Sequence, residues 1–288
     1  MNVRREFHYR LPGPAAGHFP GAHRSPRGES GFEFRRHLPL ADAPDARRID
    51  IHASLRDPFG SWQVRVYAQR MAAQVLLIAD LSASMGFVGR HRKLDTLADF
   101  AEGLAYAAYR CGDAFGFIGC DDTVRADLLL PLTRARGAGL GLGPRLRGLR
   151  LGEGRGDLGA AGLLQAHRHL RRQRSLIFLL SDFHLPPAQI EALLRSLAGH
   201  AVVPVVVWDP LEFTLPAGQG LAPLRDPETG AERLVWLRPV LRERWSRLED
   251  ERRTFLDQLF RRHQMRPLHL ADGHDPDAVT AYFYGARP

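Results

Sequence analysis

Three oxygen-bearing side chains at alternate positions, Asp80, Ser82 and Ser84, follow directly on the apolar run Val75–Ala79. The run is short, rich in branched residues and bounded by polar ones, which predicts a buried strand. Ligands of open α/β sheets bind just beyond the carboxyl ends of strands, so these three groups stand where oxygens could converge on one point. Hard cations such as Mg²⁺ take oxygen ligands in near-octahedral array, with water completing the shell. The competing interpretation is a solvated strand-to-helix turn, where Asp and Ser are common.

A second carboxylate, Asp182, closes another apolar run, Ser175–Leu180. Two close carboxylates repel, and one is driven to protonate unless a cation stands between them. Alternatively, Asp182 caps the helix that follows. His184 is the one histidine near this pair, readable as a general base or as a loop histidine facing solvent. His167 and His169, two apart on a helix, face different directions and make a poor metal pair. The chain has no G-x-S-x-G elbow, no H-E-x-x-H and no phosphate loop. Asp80-Leu81-Ser82 lacks the second aspartate of a D-x-D phosphotransferase. The residues therefore predict a protein that is not an enzyme.

The elements that must hold these groups alternate. Strands are expected at Val75–Ala79, Ala114–Cys120, Val124–Leu130, Ser175–Leu180 and Ala201–Trp208. Helices are expected at Lys93–Arg110, Leu158–Arg172 and Leu185–Ala198, with Thr133–Arg150 as a surface loop. Such alternation predicts an α/β fold with a doubly wound, mostly parallel sheet, whose strands, buried on both faces, read as unbroken apolar runs. Downstream, Leu221–Arg225 and Arg233–Arg238 are β-like about a turn at Asp226–Gly230. A long charged helix, Val240–His263, a strand at Pro267–Leu270 and a closing helix, Asp275–Tyr284, follow. Residues 1–70 are Pro- and Gly-punctuated, with extended pieces at Gly31–Phe34, Arg48–His52 and Gln63–Tyr67. They form a small N-terminal β-rich appendage to an α/β domain over 71–288.

Composition narrows the class. A hydrophobic content of 44% with 25% charged residues is that of an ordinary globular chain. No apolar run approaches the length of a membrane span, and Met1–Arg10 leads into no apolar leader segment. These features, and only two cysteines, Cys111 and Cys120, read as reduced thiols, predict a cytoplasmic protein without membrane insertion. The net charge of +8 raises nucleic acid as a partner. However, Lys93 is the only lysine, a bias that reads as coding preference, and the arginines form no long basic tract. Nucleic-acid binding on the basic surface is thus the alternative, to be recognised by steep salt dependence. A metal-dependent phosphoesterase using Asp80, Asp182 and His184 is a weaker one.

The D-x-S-x-S-M of Asp80–Met85 resembles the first loop of the metal-ion-dependent adhesion site of von Willebrand factor A domains. The series Gly31-Phe32-Glu33-Phe34, Arg36, Asp42, Arg47-Arg48-Ile49-Asp50, Ser54 and Arg56 is similar to the N-terminal signature of the family known as domain of unknown function 58. Leu38, Ala41 and Ile51 depart from it. Together the two signatures cover roughly residues 20 to 210. The resemblance implies a von Willebrand A-like fold and a Mg²⁺ or Mn²⁺ ion on Asp80, Ser82, Ser84 and Asp182. It also implies partnership with a MoxR-type AAA+ ATPase in the assembly, activation or metal insertion of a client protein. The motif's threonine is replaced by Gly156, within Gly154-Arg155-Gly156-Asp157. Either Asp157 supplies a carboxylate to the metal instead, or Arg155 folds in and neutralises the acidic pair. Arg155 and His184 are the expected partner-binding residues. Asp42, Arg48, Asp50 and Arg56 are expected to be scaffold.

Overall fold

The structure is a computed structural model that describes residues 6–11, 20–24, 33–68, 70–151, 160–215, 220–225 and 231–285. It separates into two compact units, one of residues 11–73 with 111–113, the other of the remaining chain.

The smaller unit is built from short antiparallel pairs. Strand β1 (Pro20–Arg24) pairs with β4 (Arg70–Met71), and β2 (Glu33–Pro39) with β3 (Gln63–Ala68). Between β2 and β3 the chain forms a 3₁₀ turn at Ala46–Arg48 and helix α1 (Ile51–Leu55). This corrects the extended reading of Arg48–His52. Two aspartates take over there as caps, with Asp45 accepting from Arg47 N and Asp50 from Ala53 N. Asp50 also takes Arg65 Nε at 2.7 Å and His37 Nε2 at 3.0 Å, fastening α1 to both strands. Arg65 and then the Ala53 amide are the main reasons its carboxyl is held well below the usual carboxylate range.

The larger unit carries a six-stranded sheet among the described residues, in the order β12 (Leu268–Leu270), β9 (Ala201–Val207), β8 (Leu176–Ser181), β5 (Gln74–Asp80), β6 (Ala114–Cys120), β7 (Val124–Thr133). Strand β7 pairs antiparallel with β6 and the other pairings are parallel. The apolar runs of β5, β6 and β8 are buried along their lengths, as strands covered on both faces must be. A separate antiparallel hairpin, β10 (Gly220–Arg225) with β11 (Glu232–Leu237), follows β9.

Helices lie on both faces of the sheet. On one, Leu76, Ile78, Ile177 and Leu179 pack with Leu163 of α4 (Ala161–Gln165), Ile190 and Leu194 of α5 (Pro187–Ser196) and Phe260 of α6 (Pro239–Arg262). On the other, Phe178 stacks edge-on against Phe100 of α2 (Lys93–Cys111), 5.5 Å away, and Phe283 of α7 (Pro276–Tyr284), 6.0 Å away. Phe7 and Tyr9 add to that aromatic layer.

Three expectations are corrected here. Helix α3 (Leu142–Arg147) forms inside the stretch read as a loop, and β7 extends to Thr133. The helix expected over Leu158–Arg172 is, in its described part, the short α4 followed by a 3₁₀ turn at Ala166–His169. The turn expected at Asp226–Gly230 lies outside the described residues.

From β5 the chain adds β6 and β7 on one side, then crosses to lay β8 on the other. The carboxyl ends of β5 and β8 therefore flank the point where strand order reverses, the place at which an open α/β sheet leaves a crevice.

Candidate functional site at the strand ends

Asp80 is the last residue of β5, Ser181 ends β8 beside it, and Asp182 follows directly. The loop after β5 turns in a 3₁₀ helix, Ala83–Gly86, which brings Ser82 and Ser84 back over the strand end with their hydroxyls 3.2 Å apart. Four of the residues singled out in the sequence, Asp80, Ser82, Ser84 and Asp182, are thus gathered here, all buried. His184 lies with them, half-buried and stacked on Trp208. Asp157 and Arg155 lie outside the described residues.

Three residues that the sequence does not mark for the site complete it. Lys93, the first residue of α2, points its ammonium into the crevice and is 1% exposed. Its Nζ donates to Asp182 Oδ2 at 2.8 Å, to Glu212 Oε1 at 2.7 Å and to the Ser84 carbonyl at 3.4 Å. Three N–H bonds thus meet three acceptors. Glu212 sits on a 3₁₀ turn, Pro210–Phe213, capped by Asp209, which accepts from Leu211 N and from His91 N across the crevice. A β-carbon on Gly89 would fall 2.2 Å from Asp209 Oδ1, so the approach of these two loops requires glycine there. Ser181 is a further member: its hydroxyl donates to Asp80 Oδ2 at 2.6 Å and accepts from Phe183 N.

The loop after β8 is held open by particular contacts. Phe183 adopts φ +55°, uncommon for a residue with a side chain, and is buried against Phe260. Arg252 of α6 donates to the carbonyls of Phe183 and Leu185, and Trp208 Nε1 to that of Asp182. Asp182 does not cap the next helix: α5 begins at Pro187, with Pro186 in the cap position. Its side chain is left free to face Lys93.

The electrostatics follow from burial and pairing. Burial, then the nearby charge of Asp182, push Asp80 up to about 6. Burial also works against ionised Asp182, but the charges of Lys93 and His184 outweigh it and hold that carboxyl low. Lys93 is raised above its usual range: burial opposes the ammonium, and Asp182 and Glu212 more than offset it. His184, 3.0 Å from Glu212 Oε1, is raised as well, the pull of Asp182 and Glu212 exceeding the cost of burial.

This donor set suits a divalent cation poorly. Both Asp80 oxygens accept bonds from protein donors, and an ammonium already faces Asp182 and Glu212. At an effective dielectric near 20, two unit charges about 4 Å apart repel by roughly 4 kcal/mol, and a divalent ion would double that. Asp182, His184 and Glu212 do offer ligand atoms within 4.8 Å of one another, but the Lys93 ammonium already stands against two of the three, so as they stand these residues fit that ammonium better than a divalent ion beside it.

These features define a class: an open α/β sheet with an acidic, hydroxyl-lined crevice at its topological switch point. The profile of the family described as "Protein of unknown function DUF58" matches residues 41–255, and the chain belongs to that family. A relative from Paracoccus denitrificans, "Uncharacterized protein in moxR 3'region", is 35% identical over 102 residues, 35% of this chain and 96% of the relative. Among solved structures, the conserved hypothetical protein BatB of Bacteroides thetaiotaomicron aligns with a TM-score of 0.46 and 16% identity, over 73% of this chain and 95% of that one. An aerotolerance-related membrane protein from Bacteroides fragilis aligns at 0.46 and 14%, over 74% and 96%. Among the described residues no helix is long and apolar enough to cross a membrane.

Proposed function

We propose that this chain is a von Willebrand A-type adaptor that works by protein–protein contact, with no catalytic activity of its own, beside a MoxR-type AAA+ ATPase in the cytoplasm. It hands on, assembles or activates a client protein. The observation that carries the reading is the closure of the strand-end centre. Asp80, Asp182 and Lys93 are buried, Lys93 paired with Asp182 and Asp80 held by the Ser181 hydroxyl and the Ser82 amide, which leaves no nucleophile or base among them open to a substrate. Such a centre shapes and rigidifies the loops around it, and those loops form the contact surface. The position of the Paracoccus relative in the moxR 3′ region supports the choice of partner.

The test is reconstitution. The purified chain is mixed with the MoxR-type ATPase of its own genome, and complex formation is followed by sedimentation in the ATP-analogue, ADP and nucleotide-free states. A saturable complex with altered ATP turnover, weakened by His184→Ala on the crevice rim, is expected. Absence of a complex in all three states, or hydrolysis of phosphoester substrates by the chain alone, would overturn the proposal.

A further inference from the structure

We infer that the ammonium of Lys93 is the resident cation of the strand-end site, a tethered substitute for the divalent ion that this loop pattern otherwise suggests, and that it keeps such an ion out. The inference goes beyond the adaptor reading and does not depend on it.

Three observations carry it. The first is coordination: Nζ is enclosed by Asp182, Glu212 and the Ser84 carbonyl, and so occupies the Asp182 carboxylate that a metal on this loop pattern would need. The second is residue choice. Of the 40 Lys and Arg side chains in the sequence, this one alone is lysine. A compact ammonium with three rotatable donors can stand at a point between three acceptors, whereas the planar guanidinium fork cannot. An arginine-biased chain that keeps its lone lysine here uses it for its shape. The third is position. A cation in the first turn of a helix opposes the helix dipole, which costs a few tenths to about 1 kcal/mol. Helix formation therefore does not account for Lys93 at the start of α2; the three acceptors do. One consequence is that the loops around Ser82, Ser84 and Glu212 keep their geometry whatever the metal supply.

The lone lysine also supplies the probe. Growth on lysine labelled with ¹³C at Cε gives the full chain a single lysine resonance, and Mn²⁺ is titrated against it. The wild-type resonance is expected to keep its width through a molar excess of Mn²⁺. Folded Lys93→Ala is expected to bind one Mn²⁺ by calorimetry, roughly tenfold or more tighter than wild type once the repulsion is gone, and to lose it again in Lys93→Ala with Asp182→Ala. Broadening of the wild-type resonance by substoichiometric Mn²⁺, abolished by Asp80→Ala, would overturn the inference. So would a folded Lys93→Ala chain that takes up no Mn²⁺. Should that variant fail to fold, the wild-type resonance decides alone.

Discussion

Replacing Lys93 by methionine keeps most of the side-chain volume and removes the charge, which makes it a sharp test of the buried centre. Lys93 and Asp182 are each 1% exposed as side chains and Glu212 14%, so two carboxylates lose their counter-charge where water cannot replace it. Removing one partner of a buried ion pair costs about 3–5 kcal/mol. The escape route is protonation of Asp182. Taking a proton at pH 7 onto a carboxyl that ordinarily titrates near 3.9 costs roughly 4 kcal/mol, and at pH 5 only about 1.5. Lys93→Met should therefore lose about 4 kcal/mol at pH 7, a melting point lower by roughly 8–16 °C for a domain of this size, and less than half of that at pH 5. Adding Asp182→Asn to Lys93→Met should restore much of the loss, because a neutral pair replaces an orphaned charge. Urea denaturation of the two variants and wild type, at both pH values, reads all of this. A loss below about 1 kcal/mol at pH 7, or one that does not change with pH, would refute the buried ammonium.

Asp80 gives the opposite pH signature. Its folded-state value is raised, by burial and then by the Asp182 charge, so its contribution is fully present below the unfolded value near 3.9 and is lost as pH rises through about 6. Wild type should weaken over that window while Asp80→Asn stays flatter, and parallel urea midpoints from pH 4 to 8 would contradict this. Gly89→Ala should push the Asp209 carboxylate off Leu211 N and His91 N, costing about 1–3 kcal/mol for the stranded donors; a thermal melt equal to wild type would refute the close approach. Asp50→Asn should lower the melting temperature at pH 7. Because the Asp50 carboxyl is held low in the fold, its contribution is present above the ordinary aspartate range and lost in strong acid. The gap to wild type should therefore close as pH falls toward about 2, and a gap constant with pH would exclude the Arg65 and His37 contacts as its source.

The sheet was legible because burial on both faces writes itself into sequence as unbroken apolar runs; β5, β6, β8 and β9 lie within a residue or two of where those runs place them. Asp80 and Asp182 were legible as strand-end carboxylates for the same reason. Elsewhere local pattern misled. Arg48–His52 alternates like a strand, yet two Asx caps turn it into helical turns, and the glycines around Leu142–Arg147 concealed α3. Lys93 and Glu212 are 119 residues apart, and only the folded sheet brings them together. The signal for Lys93 was nonetheless present. A lone lysine in an arginine-rich chain is an exception to the coding bias, whereas the sequence pattern points to Arg155 as the internal basic group neutralising the acidic pair.

The central claim, that a tethered ammonium organises the strand-end crevice, is tested most directly by diffraction from crystals grown in Mn²⁺, with anomalous data collected at the manganese edge. The account predicts Nζ density between Asp182 and Glu212 and no anomalous peak in the crevice. A manganese peak beside Asp80, Ser82 and Ser84, with the Lys93 side chain displaced from Asp182, would contradict it.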